Sequence, residues 1–177
     1  MLELIKNPNP ILQKKLSDFD FKNPVIDPRD LEEQMVQLMI ESNGRGLAAS
    51  QVNIDARVLV MKTELLEGVN TPFALFNPIL LAKDDELVQD YEGCLSFPNL
   101  FLAVKRSRNV VVQFLDRDNK EYIIELKDID ARCFQHELDH LNGVCFTDGM
   151  SKLKLELAQK RQRKLNGRTQ QRTTASV

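Results

Sequence analysis

Cysteine is scarce in this sequence, and long apolar runs are absent. The 177 residues include three cysteines, Cys94, Cys133 and Cys145, a set too small, and odd in number, for the disulfide framework of a small secreted domain. Apolar runs fall short of the about 20 residues that a membrane-spanning helix needs, and the first residues lack the basic and apolar regions of a signal peptide. We therefore expect a cytoplasmic protein that does not bind membranes. In the reducing cytoplasm, a cysteine near histidines is more typical of a metal or catalytic site than of a disulfide.

Charge is nearly balanced over the whole chain but unevenly distributed along it. The formal net charge is −2. From Ser151 onward, eight Lys or Arg side chains stand against one acid, Glu156, so this segment carries +7 and residues 1–150 carry −9. Such a segment either binds an anionic surface or forms the solvated face of a helix.

Hydrophobic periodicity predicts an α+β fold with one domain over residues 1–165. A first helix is predicted at 28–42, with Asp27 as its cap and Pro28 at its first position, and a second at about 129–142, capped by Asp128. Strand-like segments rich in β-branched and aromatic residues lie between them, at 58–61, 73–76, 79–81, 102–104, 110–114 and 122–124. A third helix is predicted near 151–165, followed by a disordered polar and basic tail at 166–177. The order helix, strands, helix favours α+β over a doubly wound sheet.

The clearest chemical motif contains both histidines of the chain, His136 and His140, with Glu137 between them. Residues four apart lie on the same face of a helix, so both imidazoles can reach one cation. Glu137 then lies where a general base for an activated water molecule belongs. The alternative is an ordinary helix whose histidines are surface or core residues.

A catalytic divalent site normally takes a third protein ligand. Phe146 occupies the place where one class of zinc protease has its third histidine, and Glu156 lies in the basic segment, which makes either protease pattern a poor match. Cys94 is the better candidate, because Gly93 before it allows a close turn and a thiolate with two imidazoles suits iron(II), zinc, cobalt or nickel. Cys94 could instead be a buried structural cysteine, the default interpretation for Cys133 and Cys145.

A segment of small residues at 44–51 ends in Gln51, whose amide could stabilise an oxyanion. A Gly/Ala-rich turn that packs tightly against a helix is an equally good interpretation of this segment taken alone.

Three segments, in this order, resemble the signature motifs of peptide deformylases. Residues 44–51 resemble GxGLAAxQ, residues 92–96 resemble EGCLS, and residues 135–141 resemble QHExDHL. The resemblance implies hydrolysis of the N-formyl group from the N-terminal formyl-methionine of nascent polypeptides, with release of formate. It also implies antiparallel or mixed β-sheets packed around a central metal-binding helix, with a further helix at the C-terminus.

The resemblance further implies a role for each catalytic position. The metal ligands would be Cys94, His136 and His140, holding iron(II) in many members, with nickel, cobalt or zinc as replacements. Glu137 would take a proton from the water nucleophile and pass it to the leaving amine. Gln51 and the backbone N–H of Leu95 would hold the formyl oxygen as it becomes an oxyanion.

Substrate-binding positions follow from the same resemblance. Gly46 and Gly93 would hydrogen-bond the peptide backbone. A second carboxylate, Glu92, is expected to pair with Arg106 behind the metal ligands. Ile129 and Cys133 precede His136 by seven and three residues and so share its face, where they can line an apolar pocket for methionine.

Arg45 departs from the family pattern, which commonly has a small aliphatic residue at this position. It could bring charge to the mouth of the site and alter the preference beyond methionine.

Other functions remain open at this level. A metallopeptidase would use the histidine pair without Cys94, and a nucleic-acid or ribosome-binding protein could keep an inactive scaffold. The resemblance also implies that the basic helix contacts the ribosome. We expect a monomer, because no further apolar face stands out in the sequence.

Overall fold

A computed structural model describes the backbone of residues 2–63 and 72–174 and the side chains up to residue 165. The chain forms two short 3₁₀ helices, Pro10–Gln13 and Ala49–Val52, and three α-helices, α1 (Pro28–Glu41), α2 (Asp128–Leu141) and α3 (Lys152–Thr174). The strands are β1 (Gly46–Ala48), β2 (Val58–Met61), β3 (Phe73–Lys83), β4 (Leu87–Cys94), β5 (Phe97–Ser107), β6 (Asn109–Leu115) and β7 (Glu121–Lys127). The α+β prediction is confirmed.

The strands form two antiparallel sheets that meet at helix α2. One sheet has five strands in the order β1-β2-β3-β6-β7, and the other is the β4-β5 hairpin. Helix α2 contacts strands of both sheets. Two apolar clusters result, a large one under the five-stranded sheet and a smaller one between β5, α3 and the segment after α2.

Helix α1 begins and packs as its sequence predicts. The Asp27 carboxylate accepts hydrogen bonds from the backbone N–H groups of Arg29 and Asp30 and so satisfies donors that the first turn leaves free. The side chains of Leu31, Met35 and Met39, four residues apart, are fully buried in the large cluster. Burial of this stripe holds the helix against the sheet.

Helix α2 carries both core residues and the histidine motif. The side chains of Phe134 and Leu141 are fully buried, and that of His140 is almost fully buried. The predicted cap differs: Asp128 is the first helical residue, with φ +46°, and its carboxylate accepts a hydrogen bond from Arg108 instead of capping the helix. At the other end Gly143 has φ +73°, and a Cβ there would lie 2.7 Å from the Gln13 carbonyl oxygen, so glycine is required.

Two strands were not predicted from the sequence. Strand β1 is three residues long, and β4 is mostly exposed, with Gln89 and Asp90 in its middle. Strand β4 is stabilised by pairing with β5 from Leu87 to Cys94, a long-range contact that local pattern does not report. The predicted segments 73–76 and 79–81 are one strand with an irregularity at Asn77, which has φ +48°.

Helix α3 continues beyond its predicted end. The backbone is helical to Thr174, whereas the sequence predicted disorder from residue 166; residues 175–177 lie outside the described part of the chain. A single glycine in a helix costs only about 1 kcal/mol relative to alanine, and the arginines and glutamines around Gly167 favour helix. None of the described helices is long and apolar enough to cross a membrane.

Candidate metal centre and active site

Three predicted ligands from two elements converge at one point. Cys94 is the last residue of β4, and His136 and His140 lie one turn apart on α2. The Cys94 Sγ lies 3.2 Å from the His140 Nε2, and the ligand atoms of all three residues lie within 4.8 Å of one another. Ligand atoms of one tetrahedral ion, at usual bond lengths, lie roughly 3.3–3.8 Å apart. The three residues are therefore a donor set that could hold one divalent cation, with ligand atoms at most about 1 Å further apart than in such a site.

A buried carboxylate fixes the orientation of the first imidazole. The Nδ1–H of His136 donates to the Glu92 Oε2 over 2.9 Å, which leaves the Nε2 for a metal ion, the arrangement usual for histidine ligands. Burial lowers the pKa of His136, but the hydrogen bonds to Cys94 and Glu92 outweigh burial and raise it to about 10. Burial and the neighbouring His136 lower the pKa of His140 to about 3. Because metal ligation needs a neutral imidazole, binding of an ion by His136 would release this proton.

Glu92 is itself held by two guanidinium groups. The Nε–H and Nη2–H groups of Arg106 each donate to Glu92 over 2.9 Å, which is the pair expected from the sequence. Arg132 donates to the same carboxylate over 2.7 Å. Burial raises the pKa of Glu92, but the hydrogen bonds from His136 and Arg106 outweigh it and bring the pKa down to about 2. The carboxylate is thus ionised and fully paired, as a buried charge must be.

Two members of this network were missed in the sequence. Arg132 also donates to the backbone oxygens of Val88 and Val104 and so ties α2 to both strands of the hairpin. Asp139 accepts a hydrogen bond from Arg106. The only local signal was the position of Arg132, four residues before His136 and therefore on the same helix face.

Glu137 is buried beside the ligands with an unused oxygen. Its side chain is buried, and its Oε2 has no hydrogen-bond partner within the described part of the chain. Burial raises its pKa to about 7, although His136 opposes the rise. Such a carboxylate can accept and return a proton near neutral pH.

Gln51 presents a fixed donor next to Cys94. Its Oε1 accepts the backbone N–H of Ala48 over 2.8 Å. The Nε2 therefore points the other way, to the Ser96 Oγ at 3.2 Å and the Cys94 Sγ at 3.5 Å. Leu95 lies in the turn after Cys94 and, like Gln51, lines the cavity that opens beside the proposed ligands. Ser96, which helps to orient the Gln51 amide, was not singled out in the sequence.

A cavity of about 530 Å³ opens beside these groups. Its lining includes all five residues predicted to bind substrate: Arg45, Gly46, Gly93, Ile129 and Cys133. The Arg45 guanidinium forms an ion pair of 2.9 Å with the buried Asp130, so a neighbouring carboxylate offsets its charge. A Cβ on Gly46 would lie 2.5 Å from the Glu137 Oε1, which shows how closely the β1 backbone approaches the proposed base.

The rejected protease ligands lie elsewhere. Phe146 packs against the His136 ring, with centroids 5.6 Å apart. Glu156 is exposed on α3 and lines a separate surface groove with Lys160, Arg163 and Lys164. Neither supplies a third ligand to the histidine pair.

Comparisons with known proteins give a consistent result over most of the chain. A family model described as "Polypeptide deformylase" matches residues 1–156. The peptide deformylase of Stenotrophomonas maltophilia (strain R551-3) is 37% identical over 163 residues, which cover 91% of this chain and 94% of that protein. Peptide deformylase 1 of Pseudomonas syringae pv. tomato is 43% identical over 141 residues, 78% of this chain and 83% of that protein. The crystal structure of a peptide deformylase from Synechococcus elongatus in complex with actinonin matches with a TM-score of 0.82 at 34% identity, covering 90% of this chain and 86% of that chain.

Replacement of Glu92 by glutamine is expected to weaken metal binding. The amide cannot satisfy His136, Arg106 and Arg132 as the carboxylate does, so the imidazole loses its fixed orientation. We expect affinity for cobalt(II), measured by competition with a chelator, to fall about 10- to 100-fold. The control is Glu86→Gln, which removes an exposed carboxylate paired with Arg108. Equal affinity of Glu92→Gln and the wild type would contradict this role of Glu92.

Proposed function

The chain belongs to the peptide deformylase family and hydrolyses the N-formyl group of peptides that begin with formyl-methionine, and we propose that this hydrolysis depends on one divalent metal ion held by Cys94, His136 and His140. The observation that carries the proposal is the meeting of these three ligands beside Glu137, a buried carboxylate with an unused oxygen. When bound, a divalent ion would bring the pKa of a water nucleophile toward about 7 and polarise the formyl carbonyl.

We propose iron(II) as the native ion, by resemblance to the family. One thiolate and two imidazoles also suit zinc, nickel and cobalt. Cys94 must stay a free thiol to bind any of them, and all three cysteines are free. This requirement supports a reducing compartment such as the cytoplasm.

Glu137 would move the proton in both halves of the reaction. With a pKa near neutrality it can take a proton from the water nucleophile as the tetrahedral intermediate forms. It then gives that proton to the nitrogen of methionine, which must leave as an amine.

Gln51 and Leu95 would stabilise the charge that develops on the formyl oxygen. The Gln51 Nε2 is directed to the ligand side of the cavity because its Oε1 is held by Ala48. The backbone N–H of Leu95 is the second proposed donor. A donor of this kind is worth about 3–4 kcal/mol in the transition state.

Two open strand edges would bind the substrate backbone. Within the described residues β1 pairs only with β2, and β4 only with β5. Gly46 and Gly93 lie on these two strands and line one cavity. An extended peptide between the edges could pair with both, with the methionine side chain entering the cavity between Ile129 and Cys133.

The deciding experiment is formate release from formyl-Met-Ala-Ser by protein prepared anaerobically with iron(II). We expect the wild type to release formate and Glu137→Gln to lose at least about 100-fold in rate. Glu156→Gln, which changes the one acid of the α3 helix, should match the wild type.

Absence of formate from the metal-loaded wild type would refute the proposed reaction and favour an inactive scaffold. Cleavage of unformylated Met-Ala-Ser, or a loss in Glu156→Gln, would favour a metallopeptidase instead.

We further propose that helix α3 contacts ribosomal RNA. Leu155 and Ala158 pack against the smaller apolar cluster, while the helix exposes six cations: Lys152, Lys154, Lys160, Arg161, Arg163 and Lys164. Phosphate binding by such a face is independent of sequence and sensitive to salt.

The monomeric state stays a prediction, which size-exclusion chromatography would test.

Reversal of three of these charges tests the contact without removing the helix. We expect Lys160→Glu, Arg161→Glu and Lys164→Glu together to abolish co-sedimentation with ribosomes at moderate salt, because phosphate repels the new carboxylates. The control reverses three exposed lysines elsewhere, Lys22, Lys83 and Lys105. Co-sedimentation of the α3 variant at the level of the control would refute the contact.

A further inference from the structure

Two large aromatic side chains stand exposed at the mouth of the active-site cavity. Tyr91 on β4 is 66% exposed and Phe101 on β5 is 56% exposed. Both line the cavity that contains Cys94 and Glu137. Exposed aromatic surface at the edge of a binding cavity is typical of a contact site for a ligand.

The pairing of the hairpin places these aromatic residues on one face. Glu92 points toward α2, where it meets Arg106, Arg132 and His136. Because side chains alternate along a strand, Tyr91 and Gly93 belong to the opposite face. Phe101 is the cross-strand partner of Gly93, and partners share a face.

The Phe101 ring covers the backbone of Gly93. A Cβ on Gly93 would lie 2.8 Å from the Phe101 Cε1, so the missing side chain leaves room for the ring. The ring thus lies beside the strand edge on which the proposed substrate backbone would pair.

The alternating directions of the side chains in an extended substrate determine which substrate residue contacts Tyr91 and Phe101. An extended peptide on the edge of β4 also points successive side chains to opposite faces. If methionine enters the cavity toward Ile129 and Cys133 on α2, the next side chain points away from α2, to the face of Tyr91 and Phe101. We propose that Tyr91 and Phe101 form an aromatic shelf that binds the second residue of the substrate and selects aromatic and large apolar side chains there. This inference rests on the proposed function.

Two peptides of identical composition test the shelf. Formyl-Met-Phe-Ser places phenylalanine at the second position, and formyl-Met-Ser-Phe places it at the third. One aromatic contact corresponds to about a tenfold preference in kcat/KM. We therefore expect the wild type to prefer formyl-Met-Phe-Ser by about that factor, Phe101→Ala to abolish most of the preference, and Phe101→Tyr to retain it.

A matched control and separate readouts make the outcomes distinguishable. Tyr122→Ala removes a partly exposed aromatic residue on β7, outside the cavity lining, and should keep the wild-type preference. Formate release from both peptides at equal kcat/KM by the wild type, or a preference that survives Phe101→Ala, would overturn the shelf while leaving the proposed function intact. A preference for formyl-Met-Ser-Phe would overturn the assignment to the second residue. Release of formate from neither peptide would refute the proposed function itself.

Discussion

The pairing of the buried Glu92 carboxylate holds the site together. Glu92 lies on β4, Arg106 on β5, and Arg132 and His136 on α2. An unpaired buried carboxylate would be strongly destabilising, so the fold is favoured only when these three elements approach until every partner is within 2.9 Å. Cys94 follows Glu92 by two residues and is brought to the histidines by the same approach. The geometry of the ligands is thus a consequence of charge burial.

Helix α2 carries side chains of both the apolar core and the proposed metal site. Fully buried Phe134 and Leu141 fix its position against the sheets. His136 and Glu137 line the cavity, and His140 lies one turn after His136. Among the described residues, two buried polar atoms of α2 at the site have no hydrogen-bond partner, the His140 Nδ1 and the Glu137 Oε2, and the second bears on proton transfer. Burial without a partner holds the pKa of Glu137 near neutrality. Glu92, in contrast, is well paired and has a pKa of about 2. A carboxylate with so low a pKa is a poor proton acceptor and could not serve as the base.

Local sequence predicted the parts of this site that local geometry determines. The spacing of His136 and His140 requires only a helix, and the capping of α1 by Asp27 requires only its own first turn. Arg132, Asp139 and Ser96 were missed because their partners lie 28 to 45 residues away in sequence. Strand β4 was missed because its exposed residues carry no apolar pattern and its stability comes from pairing with β5. The continuation of α3 beyond residue 165 was not predicted, because the polar and basic composition there is typical of disorder and shows no apolar pattern.

Cys94 is proposed as the thiolate of a metal centre that His136 and His140 complete. The most direct measurement is the absorption spectrum of the protein loaded with cobalt(II), in which thiolate ligation gives a charge-transfer band. The wild type, Cys133→Ser and Cys145→Ser are predicted to bind one ion and show the band, whereas Cys94→Ser is predicted to lose it. A band that persists in Cys94→Ser, or that disappears in Cys133→Ser or Cys145→Ser, would contradict the assignment of Cys94 as the thiolate ligand.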